Sequence, residues 1–313
     1  MIEANVLTKR YGPKPAVDDL CFLVAPGRVT GFLGPNGAGK STTMRLILGL
    51  ASPTSGHATI RGKLYRELEV PLFEVGSLLD ADGAHRGRTA LNHLLFLAQS
   101  NGLPRRRVVE VLEMVGLDAV AGKRVGAFSL GMRQRLGIAA AMLGDPEILI
   151  LDEPMNGLDT QGIRWIRNLM KQLALEGRTV FVSSHLMAEM ELVADHLIVI
   201  GRGRLIADTS MHDFITANSE AFTLVRSPQG NKLKSLLESR GAKVQLDPAG
   251  AWRVSALDTA AIGDVAAEHD ISLHELTPRF SSLEDIYTRM TQISVEYRGH
   301  DGAERSRHLS RTR

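Results

Sequence analysis

The run Gly31-Phe32-Leu33-Gly34-Pro35-Asn36-Gly37-Ala38-Gly39-Lys40-Ser41-Thr42 constrains this chain more than any other stretch. Residues 29–33 read as a short buried strand, 34–39 as a glycine-rich turn and 40–48 as the opening turns of a helix. Strand, glycine turn and helix in that order make a phosphate-binding P-loop. Its glycines let successive backbone N–H groups converge on an anion, and the helix N-terminus adds positive partial charge where a β-phosphate would sit. Lys40 then reaches the β- and γ-phosphates, and the Ser41 hydroxyl is a ligand for Mg²⁺.

A second constellation supplies acids. Ile148-Leu149-Ile150-Leu151-Asp152-Glu153-Pro154 is four aliphatics followed by two carboxylates, the pattern of a buried parallel strand delivering charge at its end. Asp152 is placed to hold Mg²⁺ through water beside Ser41, and Glu153 to polarise an attacking water as base or orienter. The next strand, 179–183, is followed by His185, for which contact with a γ-phosphate is the preferred reading over a structural histidine. The strand at 75–80 ends in Asp80, which reads equally as a contact to metal or attacking water and as a cap on the loop after it. Ser129 caps a helix through 143, with Gly131 two residues on; an ordinary N-cap is the simpler reading, a second anion site the alternative. Tyr11 either stacks on a purine or is a turn tyrosine half-buried on its sheet.

Around these motifs, residues 2–9 read as an edge strand, 17–24 as a second strand, and 58–60 with Gly62 as a hairpin. Helices at 89–101 and 105–115 look like an insertion on the catalytic core, and the turn 156–159 leads into a helix through 175. Strands at 197–200 and 205–207 close this part as a hairpin. After Phe214 the pattern becomes strand 222–225, helix 232–238, hairpin 242–246 and 252–255, helix 259–269, strand 271–276 and a final helix 283–290. That βαββαβ order predicts a small ferredoxin-like domain.

The 313 residues suffice for one large α/β domain and a smaller one. Lys+Arg 37 against Asp+Glu 35 gives no argument for nucleic acid, and the tail 298–313, with five arginines and two acids, reads as a solvated extension. Cys21 is the single cysteine, which excludes an internal disulfide and fits a reducing cytosol. No apolar run approaches the roughly 20 residues that cross a bilayer, so a soluble chain is expected whose membrane role would come through a partner.

Taken together and in this order, the P-loop at 34–42, Ser129 to Gln134, the strand 148–152 with Glu153, the turn 156–159 and His185 resemble the ATP-binding subunit of ABC transporters over about residues 1–215. The resemblance implies an ABC cassette, 1–215, with a helical insertion at about 85–145; the strand and helix pattern beyond it gives an accessory α+β domain at 220–297, and composition gives a disordered basic tail at 298–313. It implies a Mg²⁺-dependent ATPase that pairs head to tail with a second copy or a paralogous cassette, so that Ser129, Gly131 and Asp159 of one subunit complete the ATP site of the other. Tyr11 matches the adenine-stacking aromatic, Gly34 to Thr42 the phosphate cradle, Ser41 and Asp152 the metal ligands, and Lys40, Glu153 and His185 the catalytic groups. The family's Leu-Ser-Gly-Gly-Gln stands here as Phe128-Ser129-Leu130-Gly131-Met132, and a position usually held by glutamine carries Asp80. Both features look like the bacitracin-resistance and lantibiotic-immunity branch of exporters. A cytoplasmic subunit seated on the inner membrane face through a separate permease, with cargo moving outward and no nucleic acid bound, is the expectation; a soluble ABC ATPase acting on ribosomes or DNA is the alternative, and a dead binding module is disfavoured by Lys40, Asp152 and Glu153.

Overall fold

The computed structural model describes residues 1–185, 187–218, 221–247, 250–280, 283–284 and 286–287. They form two compact units, one from Met1 to Thr209 and the other beginning at Ser210. In chain order the first contains β1 (Ile2–Tyr11), β2 (Lys14–Val24), β3 (Arg28–Leu33), α1 (Lys40–Ile47), β4 (Ser55–Ile60), α2 (Pro71–Glu74), β5 (Val75–Leu78) and α3 (Ala90–Ser100). It continues with α4 (Arg105–Met114), α5 (Leu130–Ala141), β6 (Ile148–Leu151), α6 (Thr160–Leu175), β7 (Thr179–Ser183), α7 (Met187–Glu191), β8 (His196–Gly201) and β9 (Arg204–Ser210).

A six-stranded sheet in the order β5-β6-β7-β3-β8-β9 is the frame, with β5, β6, β7, β3 and β8 parallel. All four residues of β6 and all five of β7 are buried, as strands covered on both faces must be. A three-stranded antiparallel sheet, β2-β1-β4, packs on this frame through Phe22, Phe32 and Phe181, whose ring centroids lie 5.0 to 5.9 Å apart. Here the sequence expectation of an edge strand at 2–9 is corrected. β1 is the central strand, bonded on one side to β2 and on the other to β4, a partner some fifty residues downstream that local pattern does not reveal. The hairpin expected at 58–62 is likewise only one bridge, Ile60 to Lys63; β4 pairs with β1 instead.

Helices α3, α4 and α5 pack together through Leu94, Ala98, Val108, Val111 and Leu112. Thr89 caps α3 by accepting the Asn92 N–H, and the Arg107 guanidinium donates to the Met142 and Leu143 carbonyls at the far end of α5. Ser129 caps α5, so the helix begins at a fixed point relative to the acids that follow it.

The second unit contains α8 (Met211–Asn218), β10 (Ala221–Arg226), α9 (Gly230–Ser239), β11 (Lys243–Leu246), β12 (Trp252–Ser255), α10 (Thr259–Glu268) and β13 (Glu275–Phe280). Its sheet runs β11-β12-β10-β13, antiparallel throughout, over a core that includes Val225, Leu233, Leu237, Val254 and Val265. The element order is the βαββαβ read from sequence, with one correction: the last strand is 275–280, not 271–276. Ile271 instead closes α10, its N–H donating to the Ala266 carbonyl and its side chain 6% exposed. Pro278 is tolerated in β13 because that strand lies at the sheet edge. The expected helix at 283–290 is described only at 283–284 and 286–287, and the basic tail lies outside the described residues.

Candidate active site

Because β7 pairs with β3 on one side and β6 on the other, the C-terminal ends of these three strands lie side by side. Loops beyond such ends are where open parallel sheets gather ligand contacts. Pro35, Asn36, Gly37, Gly39, Lys40, Ser41 and Thr42 after β3, Asp152 and Glu153 after β6, and Ala16 on β2 line a cavity of about 250 Å³. The turn can only be built with glycine: Gly37 and Gly39 have φ of 81° and 106°, and a Cβ at Gly39 would lie 2.3 Å from the Ala16 carbonyl oxygen. Gly34 and Ala38 are buried beneath the loop and shape it without lining the cavity. The Gly39 carbonyl accepts the Thr43 N–H, starting α1 at the cavity wall.

Lys40 is 7% exposed, and its Nζ donates to the Gly34 carbonyl at 2.6 Å. Burial lowers its pKa from the ordinary lysine value, while the Glu153 and Asp152 charges oppose that shift. One hydroxyl contacts both acidic residues, one through its side chain and the other through its backbone. Ser183 Oγ donates to Asp152 Oδ1 at 2.5 Å and accepts the Glu153 N–H at 3.0 Å. Glu153 itself has φ 51°, a left-handed conformation uncommon outside glycine. Its Oε2 lies 2.7 Å from His185 Nδ1 and accepts the His185 N–H at 3.3 Å. A cation, a hydroxyl and two carboxylates thus share one cavity with a nest of loop amides, and an imidazole stands behind one of the carboxylates, the equipment for binding a polyphosphate and positioning water against it.

The other residues singled out from sequence stand elsewhere. Tyr11 ends β1 with 59% of its surface exposed and Lys9 Nζ 5.0 Å above its ring, so it is neither in the cavity lining nor half-buried on the sheet. Asp80 is engaged locally rather than in the cavity: its Oδ1 accepts the Asp82 N–H at 2.8 Å, the loop-capping role. Ser129 Oγ accepts the Met132 N–H at 3.2 Å, and Asp159 Oδ1 accepts the Gly162 N–H at 2.8 Å, each capping its helix. Gly131 packs so closely on the turn before α6 that a Cβ there would be 2.7 Å from the Gly157 carbonyl oxygen. Two further residues went unsingled in the sequence: Ser183, and Gln134, whose Nε2 donates to the Glu153 carbonyl at 3.0 Å. A hydroxyl ending the strand next to the P-loop strand was the available signal for Ser183; Gln134 stood inside the run Ser129 to Gln134 but was given no role of its own there.

Residues 17–156 match the ABC transporter family, and residues 221–284 match a domain of unknown function. The bacitracin transport ATP-binding protein BcrA of Bacillus licheniformis is 38% identical over 299 residues, covering 93% of this chain and 97% of that protein. The lantibiotic transport ATP-binding protein SrtF of Streptococcus pyogenes is 35% identical over 208 residues, covering 66% of this chain and 90% of that protein. Among solved structures, a dimeric post-hydrolysis ATP-binding cassette bound to ADP and Pi superposes with a TM-score of 0.62 at 25% identity, covering 67% of this chain and 99% of that one. Among the described residues no helix is long and apolar enough to cross a membrane.

Proposed function

The chain belongs to the ATP-binding subunits of ABC transporters, and from that premise we propose that it hydrolyses ATP to drive a separate integral-membrane permease in export. The observation that carries the chemistry is the single cavity mouth at which Lys40, Ser41, Asp152 and Glu153 meet, with His185 seated on Glu153. Loop amides and Lys40 neutralise phosphate charge, Glu153 activates the attacking water, and His185 holds Glu153 while contacting the γ-phosphate. Catalysis is then positioning and electrostatics.

Mg²⁺ fits the donors present. Ser41 and Asp152 offer hard oxygens in the cavity, and no cluster of three or more His, Cys, Asp or Glu side chains among the described residues competes as an all-protein cage. Bound there with the triphosphate, the ion would neutralise charge on the β- and γ-phosphates. Tyr11, exposed at the end of β1, is available to stack on adenine.

The dimeric cassette resembled by this chain supports pairing of two cassettes; in the head-to-tail pair we infer, Ser129, Gly131 and Asp159 of one subunit close the ATP site of its partner. The transport proteins BcrA and SrtF support a membrane-associated exporter over an ATPase acting on ribosomes or DNA, with a drug, peptide antibiotic or lipid-like cargo chosen by the permease. Two measurements test the reading. Glu153→Gln should nearly abolish turnover, and wild-type turnover in that variant would remove Glu153 from the mechanism. The tagged protein should co-purify with an integral-membrane subunit; recovery with ribosomes or DNA instead would overturn the transport role.

A further inference from the structure

Glu153 holds a left-handed backbone conformation that strains a non-glycine residue, and such a residue persists only where its surroundings over-determine it. Here the surroundings are specific. The Ser183 hydroxyl accepts the Glu153 N–H at 3.0 Å, and the Gln134 side chain donates to the Glu153 carbonyl at 3.0 Å. Both are buried, Ser183 at 0% and Gln134 at 3% exposure, and neither enters the cavity lining. The same carbonyl also accepts the Asn156 N–H at 3.2 Å, which ties it to the turn on which Gly131 is packed.

We propose that Gln134 and Ser183 are positioning residues for hydrolysis: they grip the Glu153 peptide from its two ends, so that α5 sets the aim of the catalytic carboxylate in its own subunit. Gln134 lies five residues beyond Ser129, the residue that starts α5, so any shift of that helix is delivered directly to Glu153. Ser183 adds the second constraint. One hydroxyl donates to the Asp152 carboxylate and accepts from the Glu153 backbone N–H, tying the Asp152 side chain to the main chain that carries Glu153. A buried amide side chain in mid-helix would otherwise be an expensive residue to keep. The inference rests on Glu153 being the water-activating group, and the experiment separates the two ideas.

Steady-state ATPase assays on the full chain with Mg·ATP would compare Gln134→Met, which keeps length but removes the donor, with Ser183→Ala, their double variant and Glu153→Gln. Each single clamp variant should lower kcat about tenfold or more while KM and the affinity for a fluorescent ATP analogue stay within about twofold, the split expected for a group that acts only in the chemical step. Because both side chains hold the backbone of one residue, through the peptide groups on either side of it, the double variant should lose little more than the worse single one. Where Gln134→Met does not fold, Ser183→Ala carries the same comparison. Inactive Glu153→Gln beside clamp variants within twofold of wild-type kcat would overturn the clamp alone, as would a double variant whose loss equals the product of the single losses. Wild-type turnover in Glu153→Gln would overturn the assignment of Glu153 and the clamp with it.

Discussion

Replacing Gly39 by alanine tests how tightly the phosphate loop is built, because the structure separates two costs that usually arrive together. Gly39 has φ 106° and ψ 4°, so alanine there is strained by about 1–3 kcal/mol before any contact is considered. The new Cβ would also lie 2.3 Å from the Ala16 carbonyl oxygen, a backbone atom of β2 that can move only with its strand. Overpacking of that kind typically adds about 1–3 kcal/mol. The sum is about 2–6 kcal/mol, a large share of the roughly 5–15 kcal/mol that holds a domain together. Gly37→Ala is the internal control: φ is 81°, but nothing lies within 4 Å of the added carbon. It carries the backbone strain alone, about 1–2 kcal/mol. Thermal unfolding of the nucleotide-free protein, followed by circular dichroism, should show Gly39→Ala melting well below Gly37→Ala. At about 2–4 °C per kcal/mol for a unit of this size, the gap is several degrees. Indistinguishable melting points would refute the argument that contact with β2, rather than φ, dictates glycine at position 39.

Three other outcomes follow from the site. His185→Ala removes the partner 2.7 Å from Glu153 Oε2 and should cut turnover at least about a hundredfold, yet leave the melting point nearly unchanged because the His185 side chain is half exposed. Gly131→Ala favours the helix by about 1 kcal/mol on intrinsic grounds. With the Gly157 carbonyl oxygen only 2.7 Å from the new Cβ, calorimetry should nevertheless show a less stable protein, and a stabilised one would show that the two turns can part freely. Lys40 has its pKa lowered by burial, so between that lowered value and the ordinary lysine value the unfolded chain binds more protons than the folded one, and stability gains with rising pH. Lys40→Met should lose that rise in urea titrations across the alkaline range.

The parts of this molecule legible in the sequence are those whose causes are local. The P-loop places strand, glycine turn and lysine within a dozen residues, and the four aliphatics before Asp152 announce a strand covered on both faces. What escaped depends on distant partners. β1 looks like an edge until β4 returns to pair with it, and the hydroxyl and amide that hold Glu153 come from positions 30 residues after and 19 before it. Ile271 belongs to the end of α10 because its N–H reaches back to the Ala266 carbonyl, which hydrophobicity alone does not convey. Asp80 shows the complementary difficulty: a carboxylate at a strand end reads equally as ligand and as loop cap, and only the contact with the Asp82 N–H shows the local role.

In the proposed mechanism, triphosphate is bound between two copies of this chain, each supplying part of the pocket. Sedimentation of Glu153→Gln with and without Mg·ATP tests it most directly. The protein should sediment as a monomer that becomes a dimer on adding nucleotide, and should stay monomeric when Ser129 is replaced by a bulky residue such as phenylalanine. A nucleotide-loaded Glu153→Gln protein that remains monomeric, even in the presence of its permease, would contradict it.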